Sequence, residues 1–142
     1  MAEAITNARS GGTLQAYSAG VEPLDRVPPM VLEVLEKHNI STAGLTPKTW
    51  QQFAGFGAPK LNFVITTCDT IASDVCPSWP GQPLSARWTI PDPAGKAASQ
   101  HDIKENLEAI YHLTTRLVDM FLCLPTEAQD RMTLETELHK IA

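Results

Sequence analysis

The run LNFVITT, from Leu61 to Thr67, constrains the fold more than any other stretch of the chain. It is largely apolar and lies between Pro59 and the polar cluster Thr67-Cys68-Asp69. An apolar run without alternation is typical of a strand covered on both faces, as in a parallel sheet. Such a sheet needs helices to cover it, so the run predicts an α/β fold.

Four segments predict helices. The clearest runs from about Asp102 to Leu124, where apolar residues recur at steps of three and four. Residues 28–40 predict a second helix opened by two prolines, and residues 1–9 predict a short one stopped by Gly11-Gly12. After Pro125 a short polar helix is expected. Its residues available for packing are Met132, Leu134, Leu138 and Ile141.

Two further segments predict strands. TLQAYSAG, residues 13–20, alternates and ends at a glycine, and SARWTI, residues 85–90, is closed by Pro91-Asp92-Pro93. Helix, strand, helix, strand, strand, helix is an α/β order, and it predicts a small parallel sheet flanked by helices. We see no repeat or linker, so residues 1–142 are expected to form a single domain.

Composition excludes several classes of partner. The formal net charge is -5 and no Lys/Arg cluster occurs, so neither nucleic acid nor an anionic membrane is an expected partner. No apolar run approaches the roughly 20 residues of a membrane span, and the N-terminus lacks a signal-peptide pattern. Three cysteines is an odd number, which disfavours a secreted disulfide framework. The expected location is therefore the cytoplasm.

Cys68 and Cys76 stand eight positions apart in TTCDTIASDVC, directly behind the predicted strand. They could be small buried thiols, ligands of a metal, or a redox pair on a flexible polar segment. A zinc site needs about four ligands, and Cys123 is expected in the apolar core of its helix. No histidine stands at ligand spacing to a cysteine, so no metal is expected; the four are His38, His101, His112 and His139.

Asp92 lies between two prolines in IPDPAGK. It could be an ordinary turn residue, because Asp and Pro are common in turns, or a general acid or base held rigidly at a loop tip. Cys68 and Asp92 both follow predicted strands, and functional groups of parallel sheets gather at the carboxyl ends of strands. Trp79 and Trp88 are expected to be packing residues.

Several motifs occur together in a specific order. They are MAEA at the start, YSAG at 17–20, the strand followed by Thr-Cys-Asp, VCPSWPGQP at 75–83, and W-x-x-P-D-P-A at 88–94. Together they resemble the thioredoxin-coupled arsenate reductases built on the low-molecular-weight protein tyrosine phosphatase fold. The resemblance covers nearly the whole chain. It implies a single domain with a parallel sheet flanked by helices, acting in arsenic resistance.

The resemblance also implies a mechanism. In the family, a nucleophilic cysteine in a C-x5-R-S loop attacks arsenate while backbone amides and the arginine hold the oxyanion. A second cysteine attacks the adduct and releases arsenite, and a third resolves the disulfide, which thioredoxin then reduces. Cys68 and Cys76 match the second and third cysteines, and Asp92 matches the acid of the D-P motif. The implied partners are arsenate or another small oxyanion and a thioredoxin-like reductant, with no cofactor.

The sequence departs from the family at its first motif. The family's first strand and C-x5-R-S loop precede the residues that match MAEA, and no Cys-x5-Arg occurs in the 142 residues. A start assigned too far downstream, a non-catalytic truncated domain, or a strand supplied by another copy would each explain this. The missing strand would favour a homodimer through strand exchange. The chain by itself is expected not to reduce arsenate.

Two other functions stay open. A low-molecular-weight protein tyrosine phosphatase would share the fold and Asp92, but it would have no need of the pair Cys68 and Cys76. A non-catalytic binding or regulatory module of the family would need neither the pair nor the acid. The cysteine pair therefore favours the arsenate reductase.

Overall fold

The computed structural model describes residues 1–67, 79–93, 99–124 and 131–141. Helices flank two strands, as the sequence predicts for an α/β protein, but no strand forms at residues 13–20 and a short helix is added at Gln51–Ala54. The elements are α1 (Ala2–Arg9), α2 (Pro29–Lys37), α3 (Gln51–Ala54), β1 (Phe63–Thr66), β2 (Leu84–Arg87), α4 (Gln100–Leu122) and α5 (Arg131–Lys140). None of the helices in these ranges is both long and apolar enough to cross a membrane.

The two strands confirm the predicted parallel sheet. Phe63 pairs with Leu84 and Thr66 pairs with Arg87 in a parallel register. The side chains of β2 alternate between buried and exposed, whereas all four of β1 are half-buried. The side chains on both faces of β1 are therefore partly covered, as the uninterrupted apolar run predicts, although none is fully buried. Among the described residues no third strand flanks β1.

The core lies where α1, α2 and α5 converge on α4 and the sheet. The α4 helix packs against α1 and α2, and α5 packs against β2. Ile5, Leu35, Val118 and Leu138 are completely buried there. Leu107, Leu117 and Phe121 also face this core, which confirms the apolar stripe predicted for α4.

The segment TLQAYSAG is not a strand, and that prediction is wrong. Its contact with an extended neighbour is one isolated parallel bridge between Gly20 and Thr49. The side-chain amide of Asn7 holds the backbone of Ala16 instead: Oδ1 accepts from the N–H at 2.7 Å and Nδ2 donates to the carbonyl at 3.0 Å. A helix side chain thus satisfies backbone groups that a neighbouring strand would otherwise pair.

The C-terminal helix packs by one face. Leu134, Leu138 and Ile141 are buried, as predicted, but Met132 is 79% exposed. Met132 was expected to pack, and that expectation is wrong because it lies at the first turn of α5, on the side opposite Leu134.

Candidate functional site

The carboxyl ends of β1 and β2 meet at one edge of the sheet. Thr66 and Arg87 are paired at the end of the register, and the N–H of Trp88 donates to the carbonyl of Thr66 at 2.9 Å. The chain therefore leaves both strands at the same edge. In parallel α/β sheets, this edge is where loops gather functional groups.

Asp92 lies in the loop that leaves this edge after β2. The side chain is exposed to solvent, and the residue is outside any helix or strand. The following residue is held to α4, because Nδ2 of Asn106 donates to the carbonyl of Pro93 at 3.3 Å. Two prolines flank Asp92, so the loop presents a carboxyl group to solvent from a restrained backbone.

Cys68 and Cys76 lie outside the described residues. The chain is described up to Thr67, directly after β1, and again from Trp79. Their predicted redox role therefore stays a prediction. What the structure gives is the position of β1, the strand that precedes them in the sequence.

The chain returns to the sheet through a tight turn. The N–H of Gln82 donates to the carbonyl of Trp79 at 3.3 Å, and Gly81 and Gln82 both have positive φ. A glycine accepts that backbone at little cost. The turn is held from two sides: Trp79 packs edge-on against Trp50, and Nη2 of Arg131 donates to the carbonyl of Gln82.

Trp88 fixes the carboxyl end of β2 in the core. The ring is buried and packs at a steep angle against Phe121, with ring centroids 6.1 Å apart. This confirms the predicted packing role. The indole Nε1 is buried and has no hydrogen-bond partner among the described residues.

Cys123 is exposed, so the expectation that it lies in the apolar core is wrong. The α4 helix ends at Leu122, and Cys123 is its C-cap. It lies one turn beyond Met120, which is also exposed, so the helical phase turns it away from the buried side. The expectation of a buried Cys123 came from its apolar neighbours in the sequence FLCLP.

A second group of titratable side chains lies on the α2–α4 contact. His38, the C-cap of α2, points Nε2 at Oε2 of Glu108 on α4, 2.9 Å away. His112 lies one turn further along α4, and ligand atoms of the three side chains are all within 4.8 Å of one another. These three residues, here called the His38 cluster, could hold a metal ion.

The carboxylate of Glu108 also faces a cation. Nζ of Lys37 lies 2.6 Å from Oε1. The hydrogen bond from Lys37, and then that from His38, lowers the pKa of Glu108 below its ordinary value. The cluster therefore contains an ionised carboxylate at neutral pH.

Sequence reasoning gave the His38 cluster no role. Glu108 and His112 stand four positions apart on a predicted helix, which is a spacing that places two side chains on one face. This spacing could have predicted that Glu108 and His112 lie close together. His38 is 70 positions from Glu108, and only the packing of α2 on α4 brings it there.

The fold and its edge define an α/β protein whose loops present functional groups at the carboxyl ends of parallel strands. A model of the low molecular weight phosphotyrosine protein phosphatase family matches residues 1–128. The chain belongs to this family. A comparison with curated proteins gave no match. The members of the family are enzymes of the phosphatase superfamily, which includes phosphatases and arsenate reductases.

Proposed function

We propose that the protein works as a thioredoxin-coupled arsenate reductase, in which Cys68 and Cys76 are the second and third thiols of a relay. The observation that carries the proposal is their place in the chain. In the sequence they follow β1, and β1 ends at the edge of the sheet where the loop with Asp92 also begins. A phosphatase of the same family needs an acid at this edge but no cysteine pair.

In the proposed relay, electrons pass from thioredoxin to arsenate through three thiols. A first thiolate, in a Cys-x5-Arg-Ser segment that these 142 residues do not contain, attacks arsenate and forms a sulfur–arsenic bond, and the displaced oxygen leaves as water with a proton from Asp92. The thiolate of Cys68 then attacks that sulfur, the bonding electron pair stays on arsenic, and arsenite leaves. Cys76 then attacks Cys68 and displaces the first thiolate. Thioredoxin returns two electrons and two protons to the Cys68–Cys76 disulfide.

The half of the relay that these residues contain can be tested directly. Mild oxidation of the chain should form a Cys68–Cys76 disulfide, which is identified by mass spectrometry of unreduced peptides. Thioredoxin with its reductase should then reduce this disulfide, consuming one NADPH for each oxidised chain. Neither a phosphatase nor a non-catalytic binding module requires this exchange.

Cys123 provides a matched control within the same chain. It is exposed and its thiol is free, so Cys123→Ser should leave the disulfide and the NADPH consumption unchanged. Cys76→Ser should abolish both. Disulfides that pair Cys123 with either other cysteine, or an oxidised pair that thioredoxin does not reduce, would contradict the proposed relay.

The phosphatase remains the second candidate, because the matching family is described by that activity. The 142 residues contain no Cys-x5-Arg segment to hold an oxyanion, so this polypeptide by itself should neither reduce arsenate nor hydrolyse p-nitrophenyl phosphate. Phosphate-ester hydrolysis together with a failure to form the disulfide would favour the phosphatase. Turnover of either substrate would show that another group supplies the nucleophile.

A further inference from the structure

We propose that the His38 cluster binds one divalent transition-metal ion, and that Zn²⁺ fits it best. The cluster consists of His38, Glu108 and His112. It lies on the contact between α2 and α4, and it shares no residue with the proposed relay. A bound ion would clamp the C-terminal end of α2 to α4.

The donor set suits this ion. Two imidazole nitrogens and one carboxylate oxygen are ligands that zinc accepts in proteins, at about 2.0–2.2 Å and in tetrahedral geometry. Two such ligands are then about 3.4 Å apart. Nε2 of His38 and Oε2 of Glu108 are already 2.9 Å apart, and all three ligand atoms lie within 4.8 Å of one another. A small rotation of His112 would close the site, and this ring is exposed.

Two of the three ligands, His38 and Glu108, are held in place before any ion arrives. The ring of His38 stacks on the buried ring of Tyr111, with centroids 3.8 Å apart and planes 12° from parallel. Glu108 and His112 lie on consecutive turns of a 23-residue helix. Preorganised ligands lose little conformational entropy on binding. The exposure of His112 also leaves a path for the ion and a fourth position for water.

The charge around the cluster both supports and limits binding. Glu108 is ionised, since Lys37 and His38 lower its pKa, and a carboxylate must be ionised to bind a metal. The ammonium of Lys37, 2.6 Å from Oε1, opposes the charge of a cation. Its side chain is 62% exposed, so it can move into water when an ion binds to Glu108. Removing this charge with Lys37→Met should therefore tighten zinc binding.

Zinc chloride is the probe for the first experiment. Titration of the chain against a chromophoric chelator should show one zinc ion bound per chain. His112→Ala should weaken the affinity at least about tenfold, and the ring that this substitution removes is exposed. His38→Ala should weaken it similarly. Zinc should also raise the Tm of the unchanged chain but not that of the His112→Ala variant.

His101 supplies a matched control. It lies on the same helix and faces Glu105 across one turn, with Nε2 and Oε1 3.3 Å apart, but among the described residues no third ligand joins them. His101→Ala should leave the zinc affinity unchanged. An equal loss of affinity in His101→Ala and His112→Ala would overturn the proposal, and so would the absence of binding in the unchanged chain.

The cysteines are the competing ligands, and cobalt distinguishes them. The Co²⁺-loaded chain should show visible d–d bands without the near-ultraviolet charge-transfer band of a thiolate ligand. A variant with serine at Cys68, Cys76 and Cys123 should bind zinc as tightly as the unchanged chain. A thiolate band at one equivalent of Co²⁺, or loss of zinc binding in the serine variant, would place the ion on the cysteines and overturn the proposal.

Discussion

Glu3 and Asn7 lie one turn apart on α1, and both hold the segment that follows the helix. Oε2 of Glu3 accepts from the N–H of Ser18 at 2.9 Å, and Nζ of Lys48 lies 3.1 Å away. The side chains of this ion pair are only 11% and 15% exposed. Each charge therefore depends on the other, because an unpaired charge is costly where water is largely excluded.

Removing the carboxylate should destabilise the protein strongly. We expect Glu3→Ala to lower the free energy of unfolding by about 3 kcal/mol, since it leaves Lys48 uncompensated. Urea denaturation measures the loss. Arg9→Ala is the control, because its ion pair with Asp119 also joins α1 to another element but both side chains are 42% exposed; it should cost less than about 1 kcal/mol.

Adding Lys48→Met to Glu3→Ala tests the cause of that loss. The second substitution removes the charge that the first leaves unpaired, so the double variant should be less destabilised than the sum of the two single variants. Strict additivity would mean that the two groups do not interact and that the packing of Glu3 alone explains the loss.

At the scale of elements, α4 begins with a reciprocal cap. Oγ of Ser99 accepts from the N–H of Asp102 at 3.2 Å, and the N–H of Ser99 donates to Oδ2 of Asp102 at 2.9 Å. Two backbone donors at the start of the helix, the N–H groups of Ser99 and Asp102, are thereby satisfied. The hydrogen bond from the hydroxyl of Ser99, and then that from its backbone N–H, lowers the pKa of Asp102.

This shift makes the cap sensitive to acid. A carboxyl group whose pKa is lower in the folded state adds stability above its unfolded pKa, and loses it as the pH falls through the folded value. The gap in unfolding free energy between the unchanged chain and Asp102→Asn should be full at neutral pH and shrink below about pH 4. Urea denaturation at several pH values measures it. A gap that does not change with pH would rule out this role of the carboxylate.

Leu35 on α2 lies in the hydrophobic core. This side chain is 0% exposed, whereas Leu24 is 65% exposed. We expect Leu35→Ala to cost about 2–5 kcal/mol, because it leaves a cavity in the core. Leu24→Ala makes the same chemical change on the surface and should cost less than about 0.5 kcal/mol. If both variants lost the same free energy of unfolding in denaturation experiments, the burial of Leu35 would not be the cause of its destabilisation.

The elements that the sequence predicted are those whose signal is local. The step of three and four in α4 and the apolar run of β1 each lie within one segment, and both elements form where expected. TLQAYSAG failed because Asn7, a polar residue of α1, supplies the hydrogen bonds that a strand would have needed. A distant side chain of this kind leaves no trace in the alternation of the segment itself.

In the candidate sites, too, local sequence signals gave correct predictions, and contacts between distant residues were missed. The prolines around Asp92 and its place after a strand predicted a loop, and Asp92 lies in an exposed loop at that edge; its role as a general acid stays a prediction. The His38 cluster was missed, because the packing of whole helices is needed to join His38 to Glu108 and His112. A spacing rule along one helix finds two ligands and cannot find the third.

At the scale of the whole molecule, the sheet is small. In the part of the chain that the structure describes, β1 and β2 pair only with each other, and the side chains of β1 are half-buried. Unpaired strand edges are templates for pairing with another chain. We therefore propose that two copies associate through the sheet, as the sequence also led us to expect.

Light scattering combined with size-exclusion chromatography tests this association. Over a roughly hundredfold range of protein concentration, the measured mass should rise toward twice the 15.5 kDa of one chain. Phe56→Ser is the control, because Phe56 is the most exposed large apolar side chain among the described residues. If the association came from exposed apolar side chains instead of strand pairing, this substitution should weaken it. A dimer that persists in Phe56→Ser supports pairing through the sheet. A monomer at every concentration would mean that the edges of β1 and β2 are protected within one chain, and the proposal of strand exchange would then fail.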